Sequence, residues 1–298
     1  MIIWAVSTLV VLLIGFSTVL DIVEITDARE LYSYVPLVPL VSVYCAWLGR
    51  SGSQENPDRK SRSLVRSPRL LPVVLVGLGL WAWGSFSATP FRVSRLIDIH
   101  LMVATIGLVI ALAGVAGVTL GGKTLRRQWF PFAYLLFAAP MPDLWVERIV
   151  DWLMWRSADC VEGLHQLFSQ IYFREGTTFV TPALPFTVAP ECSGIDSTYA
   201  LLMTAGLASF LFVSNPASRV IILLSVLPIA ILRNGLRIFT ISMVCNYVDP
   251  AAIDGAIHKQ GGKPFFALSL IPLFLIVWLL KKLESRKKRD RATETTSM

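Results

Sequence analysis

Long apolar stretches follow one another along most of this 298-residue chain. The hydrocarbon core of a bilayer is about 30 Å thick, so a helix needs about 20 mostly apolar residues to cross it. Because lipid offers no hydrogen-bond partners, such stretches must form helices that satisfy their own backbone. Pro131, Pro140 and Pro142 interrupt one of the eight stretches. The predicted spans are residues 2–20, 34–49, 70–88, 97–119, 129–144, 195–213, 219–245 and 264–280.

The composition also favours a membrane protein, because only 16% of the residues are charged and 54% are hydrophobic. A soluble domain carries about 25% charged residues. The sequence therefore predicts an all-α fold, a polytopic integral membrane helical bundle with about eight transmembrane helices. Residues 1–280 are expected to form a single membrane domain and residues 281–298 a basic cytoplasmic tail. The first 20 residues lack a basic n-region and are interpreted as a retained span rather than a cleaved signal peptide.

Lys and Arg residues concentrate in alternate connections between the spans. The loop from Arg50 to Arg69, residues 121–128 and the tail from Lys281 onward carry most of them. Such segments stay on the cytoplasmic side. We therefore expect a multi-pass protein of the cell (inner) membrane with both termini in the cytoplasm and its chemistry on the outer, periplasmic side. The same placement accounts for the net charge of +7. No basic face interleaved with aromatic residues accompanies it, so nucleic acid is not an expected partner.

Residues 145–172 form the only long region that is neither a span nor the tail. Trp145, Ile149 and Trp152 recur at helical spacing between charged residues. This pattern predicts an amphipathic helix lying on the outer face of the membrane. The runs TTFVT and PFTVAP follow, with proline-containing turn residues between them. Their alternation of β-branched residues predicts a short outer hairpin before the sixth span.

The four cysteines, at positions 45, 160, 192 and 245, form no CxxC pair and accompany no histidine cluster. No metal site, cofactor or disulfide framework is predicted. Cys45 and Cys245 lie within apolar runs, as small core residues do. Cys192 instead lies just before the sixth span, where unpaired N–H groups and the helix dipole favour an anion such as a thiolate. A buried structural thiol is the alternative interpretation.

Two further polar features are costly in a membrane and lie at the same predicted level. Arg233, Asn234 and Arg237 fall within the outer half of the seventh span. An arginine within a span costs about 2.5–3.5 kcal/mol on insertion scales and by default indicates a functional site. The alternative is that the arginines snorkel to the headgroups. His258 lies in the next outer connection, and a nearby histidine is what activates a cysteine nucleophile.

These residues carry a resemblance to a known family. Cys-Ser-Gly-Ile at 192–195, Asn-Gly-Leu-Arg-Ile at 234–238, and His258 followed by Gly262 and Phe266 resemble the exosortase/archaeosortase family. The resemblance implies a membrane cysteine protease/transpeptidase that cleaves the C-terminal sorting tail of exported proteins through a thioacyl intermediate. It places the catalytic part at about 185–267. The implied catalytic residues are Cys192, Arg237 and His258, and the supporting or substrate-binding residues are Ser193, Gly194, Arg233, Asn234 and Gly262.

The implied partners are exported proteins whose tail consists of a motif, a membrane span and basic residues, together with membrane lipid. The residues alone leave two other classes open. A membrane lipid or glycan transferase would use the polar groups to bind a headgroup. A non-enzymatic transporter or assembly factor is the second alternative, although a transporter is expected to show repeats and polar groups at the midplane. Hydrolysis and transfer to an amine also remain open.

Overall fold

Almost every segment described by the computed structural model is helical, in agreement with the predicted all-α fold. The structure describes residues 2–51, 67–87, 96–182, 185–248 and 262–296. Within these residues, six helices are long and apolar enough to cross a membrane, or seven spans if one bent pair counts as a span. The polytopic helical bundle is therefore confirmed. The chain divides into two compact units, Met1–Val146 and Glu147–Met298. The division into a membrane domain and a tail remains a prediction.

Small residues bring two helices of the first unit together. Along α4 and α5, a Cβ added at Gly84 would lie 2.5 Å from the carbonyl oxygen of His100, and Gly77 and Gly107 are as closely opposed to backbone. Such close approach is typical of helices packed within a membrane. The helices that begin in this unit are α1 (Ile2–Ile14), α2 (Phe16–Ala28), α3 (Leu37–Ser51), α4 (Leu71–Ser87), α5 (Ile99–Leu120), α6 (Gly122–Arg127), α7 (Trp129–Leu135) and α8 (Asp143–Leu167).

The first predicted span is broken. The chain bends by 70° between Ala5–Ile14 and Phe16–Ala28. The break falls at Gly15, which packs directly against the side chain of Leu108. The absence of a side chain at Gly15 leaves the room that Leu108 occupies. The charged residues of the second half, Asp21 to Asp27, therefore lie on a separate helix.

The prediction of a fifth span-length helix at 129–144 was wrong. The helical segment Trp129–Ala138 is shorter than a membrane-spanning helix, and the chain is non-helical from Ala139 to Pro142. Proline removes a backbone donor and disfavours helix in the residue before it, so Pro140 and Pro142 end the helix. The Tyr32 hydroxyl lies 3.0 Å from the Met141 nitrogen and 3.2 Å from its oxygen. This side chain therefore satisfies both polar groups of a backbone that no helix satisfies.

The second unit contains the predicted hairpin, extended by one strand. Strands β1 (Phe173–Glu175), β2 (Thr178–Val180) and β3 (Pro185–Thr187) form an antiparallel sheet in that order. The expected pair is β2–β3, in which Phe179 lies opposite Phe186. The predicted amphipathic helix is α8. Its position on the outer face of the membrane remains a prediction.

Three long helices complete the second unit: α9 (Ile195–Phe212), α10 (Pro216–Tyr247) and α11 (Gly262–Thr296). The Asn215 side chain caps α10 by accepting a hydrogen bond from the Ala217 nitrogen. The last helix continues past residue 280, so much of the predicted basic tail is helical. A buried cluster that includes Leu201, Ile222 and Leu273 joins the three helices. A second buried cluster, defined here as the α8 cluster, consists of Ala158, Val161, Phe179, Val188 and Ile238.

We predict that Tyr32→Phe lowers the stability of the first unit by about 1–3 kcal/mol, because it leaves the part-buried N–H and carbonyl of Met141 without their partner. Tyr34→Phe is the matched control, since Tyr34 is 37% exposed. Thermal unfolding of the full chain in detergent measures the difference. Equal melting temperatures for the two variants would show that Tyr32 does not support the break after α7.

Candidate active site

The segment that carries Cys192 is a tight turn leading into α9. Residues Pro190–Cys192 form a 3-10 turn. The Cys192 nitrogen donates to the Ala189 oxygen at 2.8 Å, and the Ser193 nitrogen donates to the Pro190 oxygen at 3.0 Å. Gly194 then adopts a left-handed conformation with φ of 71° and caps the helix. Glycine takes this conformation without strain. The cysteine therefore stands at a sharp reversal immediately before a helix N-terminus.

Asn234 of α10 holds this turn in place. Its side chain is 2% exposed. The side-chain nitrogen donates to the Cys192 carbonyl at 2.6 Å and to the Ser157 hydroxyl at 2.9 Å. An amide nitrogen has two protons, so both bonds form at once. One side chain thus ties the cysteine turn to α8 and α10.

Arg233 of α10 supports the backbone at Gly194, two residues after Cys192. It is 5% exposed, and its Nη2 atom donates to the Gly194 carbonyl at 3.1 Å. The Thr198 hydroxyl also donates to this carbonyl, at 2.7 Å. The Arg233 Nη1 atom is buried and has no hydrogen-bond acceptor within the described part of the chain. A buried guanidinium with an unused donor is costly, so this atom is suited to bind an acceptor from outside the chain.

Arg237 brings a second positive charge to the cysteine. Its guanidinium lies within electrostatic range of the Cys192 thiol and of Arg233. Glu191 also acts on Cys192, with the opposite sign. Cys192 is half-buried and packs against the α8 cluster. Burial opposes ionisation of the Cys192 thiol, and it also strengthens the interaction of a thiolate with a nearby cation.

Helix α8 contributes residues that the sequence did not indicate as functional. Ser157 is fully buried and accepts the bond from Asn234. A Cβ added at Gly235 would overlap the Cys160 sulfur, so α8 and α10 approach closely. Burial raises the pKa of the Cys160 thiol above its ordinary value, which keeps it protonated. The four-residue spacing of Leu153, Ser157 and Val161 places these residues on one face of α8. This spacing was the sequence feature that could have indicated Ser157.

Among the described residues of this unit, His165 is the histidine, and both its ring nitrogens have hydrogen-bond partners. Nδ1 lies 2.9 Å from the Val161 carbonyl and Nε2 lies 3.3 Å from the Ser242 hydroxyl. A carbonyl can only accept, so Nδ1 carries the proton and Nε2 accepts from Ser242. Burial lowers the pKa of His165, although the bond to Val161 opposes this. His165 is therefore a neutral structural residue.

The structure brings most of the predicted site residues together. Cys192, Gly194, Arg233 and Asn234 are linked by hydrogen bonds, and Arg237 is linked to the thiol by its charge. The Ser193 hydroxyl is buried beside them and has no partner among the described residues. Gly262 begins α11, where an added Cβ would meet open space, so packing gives no reason for glycine there. His258 lies outside the described residues. Within those residues, no group of His, Cys, Asp or Glu side chains is arranged to hold a metal ion.

Comparison with known proteins identifies one family. The model described as Transmembrane exosortase (Exosortase_EpsH) matches residues 26–275, which is most of the chain and includes the whole cysteine turn and α10. No curated protein and no solved structure matches the chain. The family suggested by the three short motifs is therefore confirmed by a match that extends far beyond them.

We predict that Gly194→Ala lowers the melting temperature and disorders the cysteine turn. The added Cβ would lie 2.8 Å from Arg233 Nη2 and 3.0 Å from the Asn234 side-chain oxygen, in a conformation that costs a non-glycine residue about 1–2 kcal/mol. Gly163→Ala is the matched control, because a Cβ there meets no atom within 4 Å. Within helix α8, that change should instead stabilise by about 0.5–1 kcal/mol. Equal melting temperatures for both variants would contradict the account of the turn.

Proposed function

The chain belongs to the transmembrane exosortase family, and we propose that it cleaves the C-terminal sorting tail of exported proteins with Cys192 as the nucleophile. The single observation that carries this proposal is the fixed cysteine turn, held by Asn234 and placed within range of the Arg237 charge. A thiol with a purely structural role would need neither a turn fixed by a buried amide nor a nearby positive charge. The family match favours this activity over the transferase and transporter alternatives.

Burial opposes a thiolate at Cys192, and two features favour it. The residue lies three positions before the first residue of α9, where the helix dipole favours negative charge. The guanidinium of Arg237 adds a full positive charge. The turn also fixes the backbone on both sides of the cysteine, so the sulfur is held in one place. Preorganisation of this kind lowers the barrier to attack.

The proposed reaction proceeds through a thioester. The Cys192 sulfur bonds to the scissile carbonyl carbon, and the carbonyl electron pair moves onto oxygen, which Arg237 stabilises. The carbon–nitrogen bond then breaks, and the leaving amine takes a proton from His258. Water or an acceptor amine next attacks the thioester, His258 accepts its proton, and the Cys192 thiolate departs. Water gives hydrolysis and an amine gives transpeptidation.

The two arginines have different proposed roles. Arg233 is a positioning residue, because Nη2 is committed to the Gly194 carbonyl. Its unused Nη1 is suited to a backbone carbonyl of the substrate. Arg237 is the proposed catalytic residue, because its charge acts directly on the thiol. A planar guanidinium can donate two parallel hydrogen bonds, which an ammonium cannot reproduce.

The proposed outer location of the site requires residues 129–142 to cross the membrane. The ten-residue helix Trp129–Ala138 would cover about 15 Å at 1.5 Å per residue. The four non-helical residues that follow would add at most about 13 Å, so the segment approaches the bilayer thickness of about 30 Å. Irregular backbone is tolerated at this depth where protein satisfies it, as Tyr32 does for Met141. We therefore propose that both termini are cytoplasmic and that Cys192 faces outward.

The proposed orientation predicts the location of reporter fusions. Fusions after residue 60 and after the last helix should read cytoplasmic, and a fusion near residue 180 should read external. A fusion at Leu125 gives the sharpest comparison with residue 180, because only residues 129–142 are proposed to cross between them. If those two fusions report the same side, the orientation and the outer active site are wrong.

Cysteine variants test the nucleophile. We expect Cys192→Ala to abolish processing of a tailed substrate while protein level and membrane insertion stay unchanged. Cys45→Ala and Cys245→Ala are matched controls, because both thiols are buried, and their processing should be close to wild type. His258→Ala should come close to the Cys192→Ala result, since residues that act as one unit are not additive. Immunoblotting for precursor and product measures each rate. Full processing by Cys192→Ala would exclude the cysteine mechanism and favour the lipid or glycan transferase.

Arginine variants test the division of roles. We expect Arg237→Lys to lose processing without a change in melting temperature. Arg233→Lys should lower the melting temperature, because the bond to Gly194 is disturbed, and retain measurable processing. Measuring both the melting temperature and the processing rate distinguishes a loss of catalysis from a loss of folding. If Arg233→Lys is inactive and well folded while Arg237→Lys is active, the electrostatic role belongs to Arg233.

A further inference from the structure

The first unit contains an apolar cavity of about 400 Å³ that the proposed reaction does not use. Its walls come from α1, α3, α5 and α7, together with α6. Pockets that hold small molecules have volumes of about 300–1,000 Å³ and apolar linings. The lining side chains are mostly hydrophobic, with Ser42 on α3 and Gln128 at the start of α7 among the exceptions. A ligand for this cavity must therefore be largely hydrocarbon.

The cavity is long as well as apolar. On α3 the lining runs from Pro39 to Trp47, and on α5 from Leu112 to Leu120. At 1.5 Å per residue, each of these faces extends for about 12 Å along its helix. A channel of that length parallel to membrane helices has the form of an acyl chain rather than of a compact metabolite.

One buried polar atom in this lining has no partner. Ser42 is 4% exposed, and its hydroxyl makes no hydrogen bond within the described part of the chain. A buried polar group without a partner is costly and requires an explanation. An ester carbonyl at the head of an acyl chain would accept a hydrogen bond from this hydroxyl.

Positive charge lies at one end of the cavity. Thr124, Leu125 and Gln128 line this end, and the short helix α6 places exposed Lys123, Arg126 and Arg127 beside them. Basic pockets between membrane helices on the cytoplasmic side bind anionic headgroups. The charge here is thus complementary to a phosphate-bearing headgroup attached to the chain in the cavity.

We propose that this cavity binds the glycerol ester region and the first part of one acyl chain of an anionic phospholipid, with the headgroup at the α6 cations and the Ser42 hydroxyl on the ester linkage. The site belongs to the first unit and is independent of the cysteine mechanism. Its assignment to the cytoplasmic leaflet rests on the proposed orientation of residues 121–128.

Native mass spectrometry of the delipidated full chain in detergent tests the site, with phosphatidylglycerol and phosphatidylcholine of identical chains as probes. We expect phosphatidylglycerol to bind at least about tenfold more tightly, given roughly 1 kcal/mol for each basic residue near a headgroup. This preference should be lost in the triple variant Lys123→Gln/Arg126→Gln/Arg127→Gln. Arg286→Gln/Lys287→Gln/Arg289→Gln, an equal charge loss in α11, should leave it intact. Equal affinities for the two lipids in the wild-type chain would overturn the proposal.

A bulky substitution tests the cavity itself. Ala46→Phe should fill the cavity with its larger side chain. We expect it to weaken phosphatidylglycerol binding by about tenfold, which corresponds to about 1.4 kcal/mol of binding free energy. Val76→Phe is the control of equal bulk, because Val76 is 57% exposed and does not line the cavity. Unchanged binding by Ala46→Phe would contradict the proposed position of the chain.

Photo-crosslinking avoids the risk that a variant misfolds. Wild-type chain is irradiated with phosphatidylglycerol that carries a photoactivatable group in its acyl chain, and the modified peptides are sequenced. We expect adducts concentrated on residues 37–47 and 128–135. Adducts distributed equally over the exposed face of α4, at Leu75, Val76 and Trp83, would indicate bulk lipid only and would refute a specific site.

Discussion

The side-chain amide of Asn234 joins the carbonyl of Cys192 to the hydroxyl of Ser157, and the candidate site depends on this pair of hydrogen bonds. A polar group at membrane depth is costly unless it is satisfied. Asn234 is fully buried, and its two bonds fix both the cysteine turn and the face of α8. Arg233 adds a third connection through the Gly194 carbonyl. These bonds determine where Arg237 and Cys192 stand relative to each other.

The same constraint explains the irregular parts of the fold. Where a helix is broken, a side chain supplies the partners that the helix would have supplied. Tyr32 does so for Met141. Asp143 accepts a hydrogen bond from the Ile97 nitrogen and pairs with Arg29. Polar residues of the first unit thus support backbone geometry, and Asn234 and Arg233 of the second unit support the turn that carries Cys192.

The features that could be predicted from the sequence are those that a local residue pattern determines. Apolar runs gave the helices of both units, and the charge pattern of 145–172 gave α8. Arg233, Asn234 and Arg237 were singled out because polar residues are rare in spans, and Cys192 because it lies before a helix N-terminus. The fifth apolar stretch does not form one continuous helix, because Pro140 and Pro142 end the helix after Ala138.

Tertiary contacts explain the other omissions. Ser157 and Cys160 were missed because their importance comes from contacts with Asn234 and Gly235, nearly eighty residues away in the chain. Strand β1 was missed because its FRE sequence has no alternating pattern and forms only by pairing with β2. The 70° bend at Gly15 depends on packing against Leu108, which the local sequence does not specify.

The central claim is that Cys192 forms a covalent bond to the substrate, and trapping that intermediate tests it most directly. Purified enzyme is incubated briefly with a tailed substrate, quenched in acid and digested, and the Cys192 peptide is analysed by mass spectrometry. The account predicts that this peptide carries the N-terminal part of the substrate as a thioester that hydroxylamine releases. Product formed at the normal rate, with no adduct on Cys192 at any time and an adduct on another residue, would contradict it.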